Sequence, residues 1–423
     1  MISILVFYAL FLSCCCTFVL NKQYVAILLV LLASNQMMPQ SHIIVYAILF
    51  ITILQFFYAF FSVKQNKSFL LICLLPIAYG LAIFLIQPYK ININYYLGYL
   101  AVLFMFAWVL LLKWDLKKIV EFLTAYGLFL ILTGFFEKIV IGSTRVGISL
   151  SGATAYAVVL TIVWVIWVTN VFLSKIYSAK IIFIGTFLVF LSVIFSGTRM
   201  GLIGIFIGSI LCALSAIFIK NKNIIKIAVY SVMIAVAILF LSVMIWRFLP
   251  SDLYIKKTFS YLIVGKLDES SIGRLLAWIV AIDVFEQNIF LGIGAGNFQT
   301  KYELFLKSLD IFYKNKKTLE HAHNIYLVAL SEHGIIGFLT LGVFVFLCKL
   351  RLFLYFLKNR YSPEFYGLFS GFIIIAILGL FDAIPMYLPT ACFAAWLLGT
   401  CASFDPKVQI SKQEDKFNIK SVS

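Results

Sequence analysis

Charged residues are scarce in this chain: Asp, Glu, Lys and Arg make up 12% of the 423 residues, and there are only four histidines. Globular domains are about one quarter charged. The 63% of hydrophobic residues would expose more apolar surface than a monomer in water tolerates. The composition therefore excludes a disordered chain and an ordinary soluble enzyme, and it predicts an all-α polytopic membrane protein.

Cysteine pairs with the spacing of a metal or redox site are also absent. The eight cysteines lie in or beside apolar stretches, without a C-x-x-C pair, and are interpreted as small buried hydrophobes. The net charge of +16 is spread in small groups between apolar runs. Basic residues that fix membrane orientation are placed in this way, so membrane lipids are expected as partners and nucleic acid is not.

Apolar segments of about 20 residues, the length of a membrane-spanning helix, recur along the chain. Helices are expected because a backbone in lipid must satisfy its own hydrogen bonds. We predict about 12–13 transmembrane helices, near 2–20, 24–38, 43–63, 68–87, 95–112, 119–136, 153–174, 181–196, 200–219, 224–246, 325–348, 363–382 and 386–403.

These spans predict four regions. Residues 1–246 hold the N-terminal transmembrane helices, and 247–323 form one large outer loop with a surface helix at Leu275–Phe285. Residues 324–404 hold the C-terminal helices, and 405–423 form a short cytoplasmic tail. The odd-numbered short connections carry most of the basic residues and the even ones carry few, so the positive-inside rule places the even connections and the large loop outside.

Carboxylates are nearly missing from the span interiors. Glu121 and Asp382 lie close to span ends, where interfacial water is an adequate explanation. Ion-coupled transporters usually carry carboxylates near the bilayer midplane. The sequence therefore disfavours a coupled transporter.

Three polar elements fall on the predicted outer face. They are Ser196-Gly197-Thr198-Arg199, Ser270-Ser271-Ile272-Gly273-Arg274 and Glu320-His321-Ala322-His323-Asn324. A guanidinium group grips phosphate oxygens bidentately, and an imidazole can accept a proton from a hydroxyl near neutral pH. This set is typical of a site that holds a diphosphate and activates a hydroxyl.

Each element also has a simpler explanation. Arg199 alone can be an interfacial anchor, and Arg274 can simply begin a surface helix. His321 and His323 with Glu320 can bind a metal, although H-x-H without a third spaced ligand is a weak signal. His333 is more typical of a packed helix residue. Gly292–Gly296 is similar to a phosphate loop by letters only, because no strand precedes it.

The histidine segment carries a resemblance to a known family. His323-Asn324, a gap of nine residues and then Gly334-Ile335-Ile336-Gly337 resemble the motif of the O-antigen ligase and polymerase superfamily. The turn ending in Arg199 is similar to that family's short outer turn. Gly273-Arg274 with Trp278 and the glycine-rich run is similar to its second arginine block. Relatives often have a proline where this chain has Gln287-Asn288-Ile289.

The resemblance implies a GT-C-like, metal-independent, inverting glycosyltransferase that needs no cofactor. Its donor would be a glycan on undecaprenyl diphosphate, at the periplasmic face of a bacterial inner membrane. His323 would be the general base, Arg199 and Arg274 would bind the diphosphate, and His321 and Asn324 would be possible auxiliary residues.

The motif is shared by enzymes that use different acceptors. A ligase would transfer the glycan to lipid A–core, which is our first expectation, and a polymerase would join repeat units on the lipid carrier. A protein O-oligosaccharyltransferase is disfavoured by the short tail after Phe404. The alternative of another class is a polysaccharide or lipid exporter.

Overall fold

The computed structural model describes residues 93–112, 114–147, 152–218, 269–308, 319–358, 362–382 and 388–404, with the single residues Phe50, Ile53, Phe57 and Ala78. The seven ranges form ten helices and contain no strand. They are α1 (Ile93–Leu111), α2 (Leu116–Ile139), α3 (Ala153–Ser174), α4 (Ala179–Ser196), α5 (Arg199–Phe218), α6 (Glu269–Gln287), α7 (Phe298–Ser308), α8 (Ile325–Lys358), α9 (Pro363–Leu378) and α10 (Leu388–Ser403).

Five of these helices (α2, α3, α4, α5 and α8) are long and apolar enough to cross a membrane. The prediction of an all-α polytopic membrane protein is confirmed. The predicted span 153–174 is reproduced by α3, whereas α8 continues beyond 348 to Lys358 and α9 ends at Leu378 rather than 382. Apart from the four single residues named above, the spans predicted before residue 93 lie outside the described residues, as do the span 224–246, the tail 405–423 and parts of the loop 247–323.

Helix α3 lies at the centre of the described helices and is buried along nearly its whole length. Helices α2, α4, α5 and α9 pack around it. Small residues let two of these helices approach α3 closely, as is common between helices in membranes. The glycines at these contacts are Gly201, Gly204 and Gly208 of α5, and Gly367 and Gly371 of α9.

The packing of α5 against α9 sets which ends of the helices lie together. A Cβ built on Gly204 would lie 3.1 Å from Cδ1 of Leu378, and one built on Gly208 would lie 3.3 Å from Cδ1 of Ile374. The two helices are therefore antiparallel. The start of α5 and the residues that follow α9 lie at the same end of the bundle.

Helices α6 and α7 build a second, smaller core against the beginning of α8. It contains Ala277, Val280 and Val284 of α6, Phe298 and Tyr302 of α7, and Val328 of α8. The predicted surface helix Leu275–Phe285 is part of α6. The opposite face of α6 exposes four apolar side chains, Ile272, Leu275, Ile279 and Ile282. Its position on the membrane surface stays a prediction.

Helix α8 is broken at Gly334, whose φ and ψ are 63° and −171°. The chain around Gly292 pairs with this break. The N–H groups of Ile293 and Gly294 donate to the carbonyls of Ser331 and Glu332, and the N–H of Ile335 donates to the carbonyl of Ile289. The glycine-rich run therefore joins the predicted loop 247–323 to α8. Its N–H groups at 293 and 294 are engaged with α8, which does not fit a phosphate loop.

Candidate active site

His323 lies in the short loop that leads into α8, and its backbone adopts a left-handed conformation with φ of 48°. This conformation is uncommon for a residue with a side chain, and such strain is concentrated at functional sites. The neighbours hold it in place. The N–H of His323 donates to Nδ1 of His321 at 3.2 Å, and the N–H of Ile325 donates to the carbonyl of Gly379 at 2.8 Å.

Asn324, predicted as an auxiliary residue, caps helix α8. Its Oδ1 accepts the N–H groups of Tyr326 at 3.0 Å and Leu327 at 3.1 Å. A cap of this kind satisfies donors that the helix leaves unpaired. The contacts of Asn324 thus fix the start of α8 directly after His323. A role of Asn324 with a substrate stays a prediction.

Asp382 is the residue that the sequence interpretation missed. The carboxylate was explained by interfacial water, but its side chain is only 3% exposed and its Oδ1 lies 3.1 Å from Nδ1 of His323. That interpretation is wrong because the chain turns back after α9 and brings Asp382 under the loop before α8. From hydrophobicity alone, Asp382 could only be placed at the end of a predicted span. The pairing of an acid with the motif histidine becomes visible when the two helices are packed together.

This contact determines which ring nitrogen of His323 is protonated. Burial by itself raises the pKa of the Asp382 carboxyl, but the hydrogen bond from His323 and the charges of His323 and Arg274 hold it below its usual value. An ionised carboxylate only accepts hydrogen bonds. Nδ1 of His323 must therefore be the donor, and Nε2 of the neutral ring is left as the nitrogen that can accept a proton.

His321 is buried directly beside His323, with 4.3 Å between the ring centroids. Burial lowers the pKa of His321 to about 4, and repulsion from His323 acts in the same direction. His321 is consequently a neutral ring at physiological pH. Its Nδ1 accepts a hydrogen bond from the backbone of His323, so its contacts support the loop that carries the motif histidine.

The two predicted arginines lie at the same end of the structure. Arg274 is close enough to affect both Asp382 and His321 electrostatically. Arg199 is the first residue of α5, after a turn in which the Ser196 and Thr198 hydroxyls are 2.9 Å apart. The antiparallel packing of α5 and α9 brings Arg199 to the end of the bundle that holds Asp382. The predicted site residues are therefore gathered at one end.

A cation could be held by His321, His323 and Asp382, because one ligand atom from each lies within 4.8 Å of the other two. Two imidazoles and a carboxylate are a common ligand set for transition metals. The third ligand comes from far along the chain, which the H-x-H pattern could not indicate. The charge of Arg274 next to Asp382 and His321 opposes a bound cation, and metal independence stays a prediction.

Residues 184–342 match the family model described as O-antigen ligase. The resemblance to the O-antigen ligase and polymerase superfamily is confirmed. The matched segment contains Arg199, Arg274 and His323, whereas Asp382 lies beyond it. The matched family implies a glycosyltransferase-like enzyme of the O-antigen ligase type that acts on lipid-linked glycans in general. No curated protein matches the chain.

Proposed function

We propose that the protein is an O-antigen ligase that transfers a glycan from undecaprenyl diphosphate to lipid A–core. The reaction takes place at the periplasmic face of the bacterial inner membrane and inverts the anomeric carbon. The observation that carries this proposal is the hydrogen bond between His323 and Asp382 beside Arg274, in a chain that matches the O-antigen ligase family.

The proposed reaction uses His323 as the general base. Asp382 holds the Nδ1 proton, and Nε2 takes the proton of the acceptor hydroxyl. The acceptor oxygen bonds to the anomeric carbon from one side while the bond to the diphosphate oxygen breaks on the other. Undecaprenyl diphosphate leaves with the bonding electrons. General base catalysis contributes about 10²–10⁴-fold to such a reaction.

Arg199 and Arg274 would stabilise the diphosphate as its negative charge grows. Two guanidinium groups can supply the positive charge that a metal ion provides in other phosphate sites. The N-terminus of α5, where Arg199 lies, adds the positive end of a helix dipole. The donor diphosphate lies at headgroup level, where the predicted topology places both arginines.

The test is transfer by the purified protein in lipid vesicles that contain the polyprenyl-linked glycan and lipid A–core. We expect His323→Ala to lower transfer by about 10²-fold or more, with normal insertion and retained donor binding. Unchanged transfer would remove His323 from the mechanism. Arg274→Lys should retain more activity than Arg274→Ala but less than the wild type, since an ammonium group cannot form the bidentate contact. Full activity in Arg274→Lys would show that Arg274 acts only as a positive charge.

The same vesicles distinguish the alternatives by their product. A glycan attached to lipid A–core supports the ligase. Longer glycans that remain on the polyprenyl carrier would identify the protein as a polymerase instead. Movement of the lipid-linked glycan across the bilayer without a new glycosidic bond would identify the protein as an exporter instead.

A further inference from the structure

Three carboxylates in the described part of the chain are buried: Glu137, Glu332 and Asp382. Burying a carboxylate is unfavourable unless hydrogen bonds compensate, and in membrane proteins such residues usually have a function. Asp382 is paired with His323. Glu137 and Glu332 have no part in the proposed chemistry, yet each is bonded to a segment that leads to one of the two arginines.

Glu137 fixes the loop between α2 and α3. Its Oε2 accepts the N–H of Gly147 at 2.6 Å. From the same loop, Nε of Arg145 donates to the carbonyl of Ser196 at 3.1 Å, and the N–H of Val146 donates to the carbonyl of Phe195 at 3.2 Å. The loop is therefore bound to the last turn of α4.

This contact lies next to the turn that presents Arg199. Gly197 has φ of 65°, and a Cβ built on it would lie 3.7 Å from Nε of Arg145. Thr198 then leads directly into Arg199. The contacts thus run from the Glu137 carboxylate through the loop of Arg145 to the turn at Gly197, two residues before Arg199.

Glu332 has the corresponding position on the other side of the site. It accepts the backbone N–H groups of Gly296 and Phe298, where α7 begins. Helix α7 packs on α6, and the hydroxyl of Tyr302 donates to the carbonyl of Gly273 at 3.5 Å. Gly273 directly precedes Arg274. The contacts run from Glu332 through α7 to the residue that carries the second arginine.

We propose that Glu137 and Glu332 are positioning residues for Arg199 and Arg274, respectively, and set the geometry in which the two guanidinium groups meet a diphosphate. This inference rests on the proposed function, since it assumes that both arginines bind the donor. Each carboxylate is assigned to its own arginine, because the contacts named above for Glu137 and those named for Glu332 have no residue in common.

The experiment is a double-mutant cycle on the full-length protein in vesicles. Glu137→Gln and Glu332→Gln keep the size of the side chain but replace one acceptor oxygen with an NH2 group, which cannot accept a hydrogen bond. We expect each to raise the KM for the polyprenyl diphosphate-linked donor about tenfold, with a smaller effect on kcat. The pH profile should not change, because His323 and Asp382 are untouched. Glu121→Gln, at a half-exposed position on the same helix as Glu137, is the matched control and should change nothing.

Combining each glutamate variant with each arginine variant distinguishes a positioning role from a general loss of structure. Glu137→Gln should cause no further loss in an Arg199→Ala protein but should multiply the defect of Arg274→Ala. Glu332→Gln should show the reverse pattern. Equal effects in both backgrounds would overturn the inference.

A milder change tests the same route if a buried substitution prevents folding. Tyr302→Phe removes only the hydroxyl that contacts Gly273, and it should raise the donor KM in the same direction as Glu332→Gln. An unchanged KM would contradict the route to Arg274. If Arg199→Ala and Arg274→Ala themselves leave donor binding intact, the proposed role of the arginines fails instead. If they weaken it while the glutamate variants do not, only the present inference fails.

Discussion

At the scale of single residues, the site depends on one proton, the one that Nδ1 of His323 shares with Asp382. In Asp382→Asn, the amide can donate to Nδ1, which would leave the proton on Nε2 and prevent it from accepting another. We expect transfer to fall by about 10–100-fold or more, as for other residues that orient a functional histidine. The measurement is the transfer rate in vesicles. Asp115→Asn, at the exposed N-cap of α2, is the control, because Asn caps a helix as well as Asp. Full activity in Asp382→Asn would contradict the orienting role.

His321 gives a pH dependence of stability with a defined sign. Its pKa is lowered from 6.5 to about 4 in the folded protein, so between these values the unfolded chain binds a proton that the folded chain does not. Stability should therefore rise with pH through this window, by about 1.4 kcal/mol for each unit. The low pKa of Asp382 acts only below its ordinary value of 3.8, outside this window.

The measurement is the thermal denaturation of the detergent-solubilised protein at pH 5 and pH 7. We expect the wild type to be less stable at pH 5 than at pH 7 and His321→Gln to show a smaller difference. The same difference in both proteins would assign the effect to other groups.

At the scale of elements, hydropathy predicted the spans in the described ranges well, because lipid demands long apolar helices. It did not predict the break in α8. The segment from 325 to 348 is apolar apart from a short polar stretch directly before Gly334, and a glycine within a helical pattern is only weakly informative. The break depends on the outer loop, whose backbone at Phe290 and Gly292 approaches Gly334 directly.

Gly334→Ala tests that break. A Cβ on Gly334 would clash with the carbonyl group of Phe290, and φ of 63° is already unfavourable for alanine. We expect a loss of more than about 1 kcal/mol in stability, together with loss of transfer. Gly342→Ala on the same helix is the control, since a Cβ there meets nothing within 4 Å. It should be neutral or slightly stabilising. Equal stability and transfer in Gly334→Ala and Gly342→Ala would contradict the close contact between Gly334 and the chain around Phe290.

At the scale of the whole molecule, three of the four functional groups proposed for the site could be predicted from the sequence. Arg199, Arg274 and His323 could be found from loop charge and motif spacing. Asp382 could not, because it follows His323 by 59 residues and reaches it only through the packing of α8 and α9. The contacts of Glu137 and Glu332 could not be predicted either, because their partners are backbone N–H groups, which leave no pattern in the sequence.

The central claim is that two arginines, a histidine and a carboxylate meet at one outer end of the helices, around the diphosphate of a polyprenyl donor. Its most direct test is side-specific labelling of single cysteines in a cysteine-free background of the full chain. Thr144 and Glu320 are exposed beside the arginine turn and the histidine loop, and Ser178 is exposed at the opposite end of α3 and α4. A membrane-impermeant maleimide applied from the periplasmic side should label Thr144→Cys and Glu320→Cys, and should label Ser178→Cys only after permeabilisation. Labelling of the first two from opposite sides of the membrane would contradict the account.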